Sequence, residues 1–582
     1  MQIVSSQLRA RLDALLIQIY PDHDTDALRT QITEAFWPDP SEQRNRARAP
    51  GQTLWSEKDS VVITYGNSVQ DGKHKPLDLL HDFLQRYLMG TINGVHILPF
   101  FPFTSDDGFA VTDYRTVNST LGDWEDIERI ASEFRLMSDL VLNHVSSLSH
   151  WFTDYLQGHA PYDQFFAEAS PSDDLSEVVR PRTSPLLREV DTAHGTKHVW
   201  CTFSHDQVDL DFHNPEVLLE FLRIMRLHIN HGVQIIRLDA VAFIWKTLGT
   251  SCVHLPETHA IVRLMRLLCD YNADPVVLIT ETNVPNAENL SYFGNRNEAH
   301  MIYNFSLPPL LLHALMSGSA LHLNQWLMRM PPAQHGCAYL NFSASHDGIG
   351  VRGAEGLLSG DELGDMIGAV KEFGGLISMR ALADGSEKPY EMNITFFDAC
   401  KGTILGGQDD LQFERFLCSQ TIVMALEGVP AFYIHSLLGT PNDHDGVAKT
   451  DVKRAINRHR WDYPALRGHL DDPTSIHARV LDALKSRIAI RTAHKPFNPN
   501  ATQFTMQLGE EIFGLWRQSR ERDQSIFAMH NVTDHPVTIP LQSINLIEGE
   551  EWWDILTGER IDLTRRDLTF APYQCRWLSN RP

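Results

Sequence analysis

An apolar segment near the middle of this 582-residue chain ends in an arginine and an aspartate. Residues 234–240 have the composition of a buried strand, and they include Arg237 and Asp239. Because side chains alternate along a strand, these two residues point to the same face. Two charged groups on one face of a buried strand form either a structural ion pair or part of a site.

Three other apolar segments end in polar groups of the same kind, near residues 144, 281 and 347. In a (β/α)8 barrel the carboxyl ends of the strands meet at one face, where active sites are built. The segments would therefore bring several polar side chains into one pocket. The predicted members are three carboxylates, Asp239, Glu281 and Asp347, and three flanking residues, His144, Arg237 and His346.

The segments that must position these groups alternate with helical segments, which indicates an α/β fold. We expect a (β/α)8 TIM barrel with two loop insertions, an N-terminal helical extension and a small C-terminal β domain. The expected boundaries are 1–55 for the extension, 56–144, 214–347 and 404–497 for the barrel, 145–213 and 348–403 for the insertions, and 498–582 for the β domain.

Composition excludes several classes of partner. The formal net charge of −24 argues against nucleic acid or an anionic membrane as a partner. The seven cysteines are odd in number and include no CxxC pair, so we expect reduced thiols in a cytoplasmic protein. No apolar run is long enough to span a membrane.

The N-terminal extension is expected to pack either on the barrel or on a second subunit. A homodimer is therefore one expectation.

The four strand ends resemble the motif set of the α-amylase family of glycoside hydrolases and transglycosidases. That resemblance implies that Asp239 is the nucleophile, Glu281 the general acid/base and Asp347 the carboxylate that stabilises the transition state. It also implies that His144 and His346 hydrogen-bond the donor glucose. The two insertions would be the B and B′ domains of that family.

The chemistry of these residues agrees with the resemblance. A retaining mechanism needs one ionised carboxylate as nucleophile and one protonated carboxyl as acid. We expect Arg237 to lower the pKa of Asp239, and a drier environment to raise the pKa of Glu281. No metal or organic cofactor is expected, because the histidines follow strand ends and have no metal-ligand spacing.

The three carboxylates do not decide whether water, a sugar or phosphate accepts the glucosyl group. The first insertion contains Arg180 and Arg182 on either side of a proline. This basic pair is either a solvated loop or a clamp for an oxyanion, since the arginine fork matches phosphate geometry.

A longer series of motifs, from about residue 60 to 497, looks like the sucrose-phosphorylase branch of the α-amylase family. The resemblance implies that Arg182 and Tyr390 contact phosphate, which is then a substrate. It implies further sugar-binding residues in the same pocket. These are Asp106 and Arg458 for glucose hydroxyls, Phe109 and Phe203 as an apolar wall, and Gln207 nearby.

Departures from plain sucrose phosphorylases, including the extension, look like the glucosylglycerate phosphorylases of that branch. The reaction implied is reversible phosphorolysis of 2-O-α-D-glucosylglycerate to α-D-glucose 1-phosphate and D-glycerate. Alternatives are a phosphorylase of glucosylglycerol, sucrose or sucrose 6-phosphate, an α-glucosidase, and a non-catalytic amylase-like binding protein. Candidate acceptor-site residues are Arg180, Lys246, Asn283, Lys388 and Glu391.

Overall fold

Eight parallel strands close a barrel in the computed structural model, so the predicted fold is confirmed. The structure describes residues 5–48, 54–182, 184–381, 386–547 and 549–582. The strands are β1 (Val61–Thr64), β2 (Gly94–Ile97), β3 (Arg135–Val141), β4 (Val233–Asp239), β5 (Val277–Thr280), β6 (Met301–Tyr303), β7 (Ala338–Phe342) and β8 (Val429–Tyr433). Almost every residue in them is buried, as expected for parallel strands covered on both faces.

Helices follow the strands and surround the barrel. Their starts match the sequence signals: a proline opens the helix at 76, and Asp123 forms a capping box with Asp126. The barrel helices are Pro76–Phe83, Trp124–Glu133, Pro215–Asn230, Pro256–Asp270, Asn286–Ser291, Leu307–Ser317, Leu321–Arg329, Gln412–Ala425, Ile434–Leu437, His444–Thr450, Tyr463–Asp471 and Ile476–Ala493.

Several strands end earlier than the sequence indicates, and the polar residues lie in the loops just beyond them. β5 ends at Thr280, one residue before Glu281, and β7 ends at Phe342, well before Asp347. His144 lies beyond β3 and begins a separate antiparallel strand pair. These side chains are therefore free of the barrel ladder and can turn toward one another above the strand ends.

Two insertions cover the carboxyl ends of the strands. The first contains the helix His150–Gln157 and the hairpin of Leu187–Thr192 with Gly195–Trp200. The second contains the helix Gly360–Glu372 and the antiparallel pair Leu376–Ala381 and Glu387–Asn393. Short elements complete the two insertions and their surroundings. The strand His144–Ser146 pairs with Gln207–Asp209, Ile349–Gly350 with Glu387–Asn393, and Gly402–Thr403 with Gly407–Gln408; a short helix spans Phe396–Ala399.

The C-terminal β domain is confirmed as a six-stranded sheet with an additional strand pair. Arg517 attaches it to the barrel, because its guanidinium donates to the carbonyl oxygens of Ala425 at 2.8 Å and Asn498 at 2.9 Å. Within the described residues, no helix combines the length and apolar character that crossing a membrane requires. The strands of the sheet are Thr502–Met506, Ile512–Gln518, Ser525–Asn531, Cys575–Ser579, Trp553–Asp554 and Glu559–Arg560, and Val537–Pro540 pairs with Asp567–Phe570.

The N-terminal extension packs on the outside of the barrel. Its helices α1 (Ser6–Ile19) and α2 (Thr25–Phe36) lie against the barrel helices Pro256–Asp270 and Pro215–Asn230. Arg226 lies 4.7 Å from the centre of the buried Phe36 ring, and its Nε donates to the Phe36 carbonyl oxygen at 2.5 Å. The sequence leaves two packing partners open for the extension, the barrel and a second subunit. The structure shows packing on the barrel.

This packing predicts that the extension stabilises the fold without taking part in the reaction. Phe36→Ala should destabilise the protein by about 3–5 kcal/mol, because it removes a fully buried aromatic side chain. The effect is read as a lower midpoint of urea unfolding, with an unchanged Michaelis constant for substrate in the folded variant. Leu405→Ala is the control, because Leu405 is 95% exposed. A changed Michaelis constant in folded Phe36→Ala protein would contradict the prediction.

Candidate active site

A cavity of about 70 Å³ lies at the carboxyl ends of the barrel strands, between the two insertions. It brings together most residues that the sequence predicts for the site. The lining residues are Asp106, Phe109, His144, Arg182, Phe203, Gln207, Arg237, Asp239, Ala240, Glu281, Asn283, His346, Asp347, Tyr390 and Arg454. Of these, only Ala240 and Arg454 are absent from the sequence prediction.

Arg237 links two buried carboxylates at the ends of β3 and β4. Its Nη1 donates to Asp239 Oδ1 at 2.6 Å and to Asp139 on the neighbouring strand. Asp139 lies directly opposite Arg237 in the register of the two strands. The other oxygen of Asp139 is 2.7 Å from His96 Nε2. The guanidinium is therefore shared between a structural carboxylate and the predicted nucleophile.

Burial raises the pKa of Asp239 above its ordinary value, although Arg237 opposes the rise. Arg237 therefore acts in the direction that the sequence interpretation expects, but burial outweighs it, and the net pKa of Asp239 is raised rather than lowered. Burial also raises the pKa of Glu281, as that interpretation expects. Asp239 and Glu281 are neighbouring carboxyl groups with raised pKa values. Because Arg237 donates directly to Asp239, we expect Asp239 to be ionised and Glu281 to keep the proton.

Asp347 has a partner that the sequence analysis missed. Arg454, in the short 3₁₀ helix Lys453–Asn457, places Nη1 2.6 Å from Asp347 Oδ1. Burial opposes ionisation of Asp347, but Arg454 and the neighbouring His346 outweigh it and hold its pKa well below the usual range. The signal that could have identified Arg454 is its position four residues before Arg458, which the short helix brings close to it.

Glu391 holds Arg454 in place. It accepts from Arg454 Nε at 3.0 Å and Nη2 at 2.9 Å, and from the Gly348 backbone N–H at 2.9 Å. A side chain at Gly348 would collide with the side chain of Glu391 and with the Met392 carbonyl oxygen. Glu391 has three donors as partners and is not among the residues that line the cavity, so its direct contact with an acceptor stays a prediction. It positions an arginine that lines the cavity.

Two neutral imidazoles and two phenylalanines form one side of the cavity. His346 stacks on Phe109 with ring centres 4.9 Å apart, and the ring centre of Phe203 lies 5.1 Å from that of His144. Burial lowers the pKa of His144 to about 4 and that of His346 to about 3. Both rings are therefore uncharged near neutral pH. Gln207 Nε2 lies 3.1 Å from His144 Nε2, as a neighbour of this wall.

Asp106 and Arg458 differ in their position relative to the cavity. Asp106 lines the cavity, and it and Asp107 both have positive φ, at 53° and 47°. Arg458 lies behind them, where Nη1 contacts Asp107 Oδ2 at 2.6 Å and Nε donates to the His346 carbonyl oxygen at 2.9 Å. Arg458 lines a separate cavity of about 530 Å³. Its predicted contact with glucose stays a prediction: these two partners occupy Nη1 and Nε, whereas the buried Nη2 has no hydrogen-bond partner among the described residues.

Arg182 lies in the cavity between two aromatic rings. Its guanidinium carbon is 5.4 Å from the centre of the Tyr390 ring and 5.9 Å from that of Phe203. Over the part of the chain that the structure describes, no carboxylate forms an ion pair with Arg182. Burial raises the pKa of Tyr390, so its phenol is a neutral donor near neutral pH. The two predicted phosphate contacts therefore face one another.

Lys246 has three partners within the protein. Its Nζ contacts Asn143 Oδ1 at 2.7 Å, the Phe243 carbonyl oxygen at 2.8 Å and Asp209 Oδ2 at 2.9 Å. The sequence could not show the two side-chain contacts, because Asn143 comes from the loop after β3 and Asp209 from the first insertion. Lys246 is not among the residues that line the cavity, and its role as an acceptor-site residue stays a prediction.

The remaining acceptor candidates differ in position. Asn283 lines the cavity, and its buried Oδ1 has no hydrogen-bond partner among the described residues. Lys388 is exposed on the second insertion, and neither it nor Arg180 is among the residues that line the cavity. Of these three candidates, Asn283 is therefore the one that lines the cavity.

A closed parallel barrel with three carboxylates at its strand ends defines the class of the protein. The family described as "Alpha amylase, catalytic domain" matches residues 81–335. The sucrose 6F-phosphate phosphorylase from Thermoanaerobacter thermosaccharolyticum has a similar fold, with a TM-score of 0.72 and 24% sequence identity. That match covers 90% of this chain and 100% of the other.

Closer relatives define the branch. The chain is 42% identical to the glucosylglycerate phosphorylase of Spirochaeta thermophila, over 93% of this chain and 92% of the relative. It is 37% identical to the glucosylglycerate phosphorylase of Escherichia coli, over 90% of this chain and 92% of the relative. The chain belongs to the α-amylase family of glycosyl-transferring enzymes, in the branch of the glycoside phosphorylases.

The raised pKa of Glu281 predicts a specific pH dependence. The protonated form persists above the usual pKa of glutamate, so a step that needs this proton slows as pH rises through the raised value. Glu281→Gln should lose roughly 10²–10⁴-fold in kcat/KM for an unactivated α-glucoside, and far less for α-glucosyl fluoride, whose leaving group needs no proton. The measurement is kcat/KM against pH for both donors.

Glu427→Gln is the matched control for that measurement. Burial also raises the pKa of Glu427, to about 7, but this residue is not among those that line the cavity. The control should keep the alkaline decrease of the wild type. Equal losses on both donors in Glu281→Gln would show that Glu281 is not the acid.

Proposed function

We propose that this protein is a retaining glycoside phosphorylase that converts 2-O-α-D-glucosylglycerate and inorganic phosphate to α-D-glucose 1-phosphate and D-glycerate. The two relatives named above as glucosylglycerate phosphorylases support the substrate. The observation that carries the phosphorylase chemistry is Arg182. It is an arginine in the catalytic cavity that no described carboxylate neutralises, and it faces the phenol of Tyr390.

In the first half of the proposed reaction, an Asp239 oxygen attacks the anomeric carbon of the donor glucose. The bond from that carbon to the glycerate oxygen breaks, and Glu281 gives its proton to the departing oxygen. A β-linked glucosyl ester of Asp239 remains, and glycerate leaves. The ionised Asp347 stabilises the positive charge that develops on the sugar, and Arg454 keeps Asp347 ionised.

In the second half, phosphate enters the space that glycerate has left. Phosphate is anionic and must approach the carboxylates of Glu281 and Asp347, so it needs a counter-charge. Arg182 supplies that charge and Tyr390 a neutral hydrogen bond. Glu281 takes the proton of the attacking phosphate oxygen, that oxygen bonds to the anomeric carbon, and Asp239 is released. Two inversions retain the α configuration.

The proposed reaction uses phosphate as a substrate and no metal or organic cofactor. The proposed compartment is the cytoplasm, because all seven cysteines are free and six are buried, which suits a reducing environment. The homodimer stays a prediction, since the structure describes a single chain.

The experiment that tests the function is a phosphorolysis screen with wild-type protein and Arg182→Ala. We expect α-glucose 1-phosphate from glucosylglycerate, and less from glucosylglycerol, sucrose and sucrose 6-phosphate. In Arg182→Ala the Michaelis constant for phosphate should rise roughly tenfold or more, because a charge-assisted hydrogen bond contributes about 1.5–3 kcal/mol. Slow hydrolysis should take a larger share of turnover, because glucosyl-Asp239 still forms. Rates against phosphate concentration, with NMR of the anomeric product, measure both.

Arg180→Ala is the matched control, since Arg180 is in the same loop but not among the residues that line the cavity. It should leave the phosphate dependence unchanged. An unchanged phosphate dependence in Arg182→Ala would remove the structural support for phosphorolysis. Formation of β-glucose 1-phosphate would contradict the retaining mechanism.

A further inference from the structure

The acceptor of the proposed reaction carries a carboxylate, and none of the three cations that the sequence indicates for it lines the cavity. Lys246 is held by three partners, and Lys388 and Arg180 lie away from the lining of the cavity. Resting on the proposed function, we propose that Arg454, positioned by Glu391, binds the carboxylate of the acceptor glycerate. This makes Arg454 a determinant of acceptor specificity as well as a partner of Asp347.

The structure of the substrate limits where its carboxylate can lie. In 2-O-glucosylglycerate the carboxyl carbon is bonded directly to the carbon that carries the glycosidic oxygen. Glu281 must reach that oxygen to protonate it. The acceptor carboxylate is therefore confined to the immediate surroundings of Glu281, and a cation that binds it must lie there too.

Three arginines line the cavity, and they differ in their position and in the partners that they already have. Arg237 is occupied between Asp139 and Asp239. Arg182 lies on the side of the first insertion, between two aromatic rings. Arg454 contacts Asp347 on the barrel side. Burial raises the pKa of Glu281, and Arg454 is one of the cations near enough to oppose that rise.

Arg454 also keeps donors for a ligand. A guanidinium has five N–H groups. Glu391 takes one from Nε and one from Nη2, and Nη1 forms an ion pair with Asp347 Oδ1 that can use at most one of its two N–H groups in a single contact. One N–H remains on each terminal nitrogen, and two such donors can bind a carboxylate as a pair. The rigid contact with Glu391 fixes their direction before the acceptor arrives, which reduces the entropy lost on binding.

A neighbouring amide can complete the acceptor site. Asn283 follows Glu281 by two positions, and its buried Oδ1 has no hydrogen-bond partner among the described residues. This oxygen can accept a hydrogen bond from a hydroxyl group of glycerate. A carboxylate bound by Arg454 and a hydroxyl bound by Asn283 would together orient the oxygen that Glu281 protonates.

The test measures acceptor preference in the reverse direction. The donor is α-D-glucose 1-phosphate, the acceptors are D-glycerate and its neutral isostere D-glyceramide, and released phosphate is recorded. Wild-type protein should favour glycerate in kcat/KM by roughly tenfold or more. Arg454→Gln should remove most of this preference, Arg454→Lys should keep part of it, and Glu391→Gln should weaken it. The preference is the ratio of kcat/KM for glycerate to kcat/KM for glyceramide. A loss of activity caused by a disturbed Asp347 lowers both values and cancels in the ratio.

Arg182→Gln is the matched control, because it removes the other acceptor-side arginine. It should raise the Michaelis constant for phosphate in phosphorolysis and keep the preference for glycerate. A preference that survives in Arg454→Gln, or that Arg182→Gln removes to the same extent, would overturn the assignment. Failure of the proposed function would look different, because wild-type protein would then transfer glucose to neither acceptor.

Discussion

The contact on which the site depends is the buried arginine at the end of β4. Arg237 is 3% exposed and lies between Asp139 and Asp239. A buried guanidinium is strongly unfavourable unless it is paired, so both carboxylates are needed to keep it there. Because Asp139 lies opposite Arg237 in the ladder of β3 and β4, the same contact fixes the register of two strands and the position of the predicted nucleophile.

Around that contact, cations and carboxylates alternate across the cavity. Arg454 lies between Asp347 and Glu391, and Arg458 contacts Asp107. Among the described residues, Arg182 is the lining arginine that no carboxylate pairs with. The barrel therefore supplies the carboxylates for glucosyl transfer and arginines that pair with them, whereas the two insertions supply Arg182, which forms no ion pair among the described residues, and the phenol of Tyr390. This division explains how one barrel chemistry can serve different acceptors through its loops.

The barrel and most of the site could be predicted, because strand alternation and the convergence of strand ends are local rules. Asp239 and Glu281 follow from them directly. Arg454 was missed because its partners, Asp347 and Glu391, lie far away in sequence and come from a strand end and an insertion. The partners of Lys246 could not be predicted for the same reason, since Asn143 and Asp209 meet it only in the folded chain.

The central claim is that Asp239 carries the glucosyl group between donor and acceptor. The most direct measurement is mass spectrometry of Glu281→Gln protein after incubation with α-glucosyl fluoride, followed by proteolysis. Fluoride leaves without a proton, but the intermediate then lacks the base that activates its acceptor, so it should accumulate. We predict a mass increase of one glucosyl group on the peptide that contains Asp239, absent in an additional Asp239→Asn background. Release of fluoride without that adduct, or an adduct on another residue, would contradict the account.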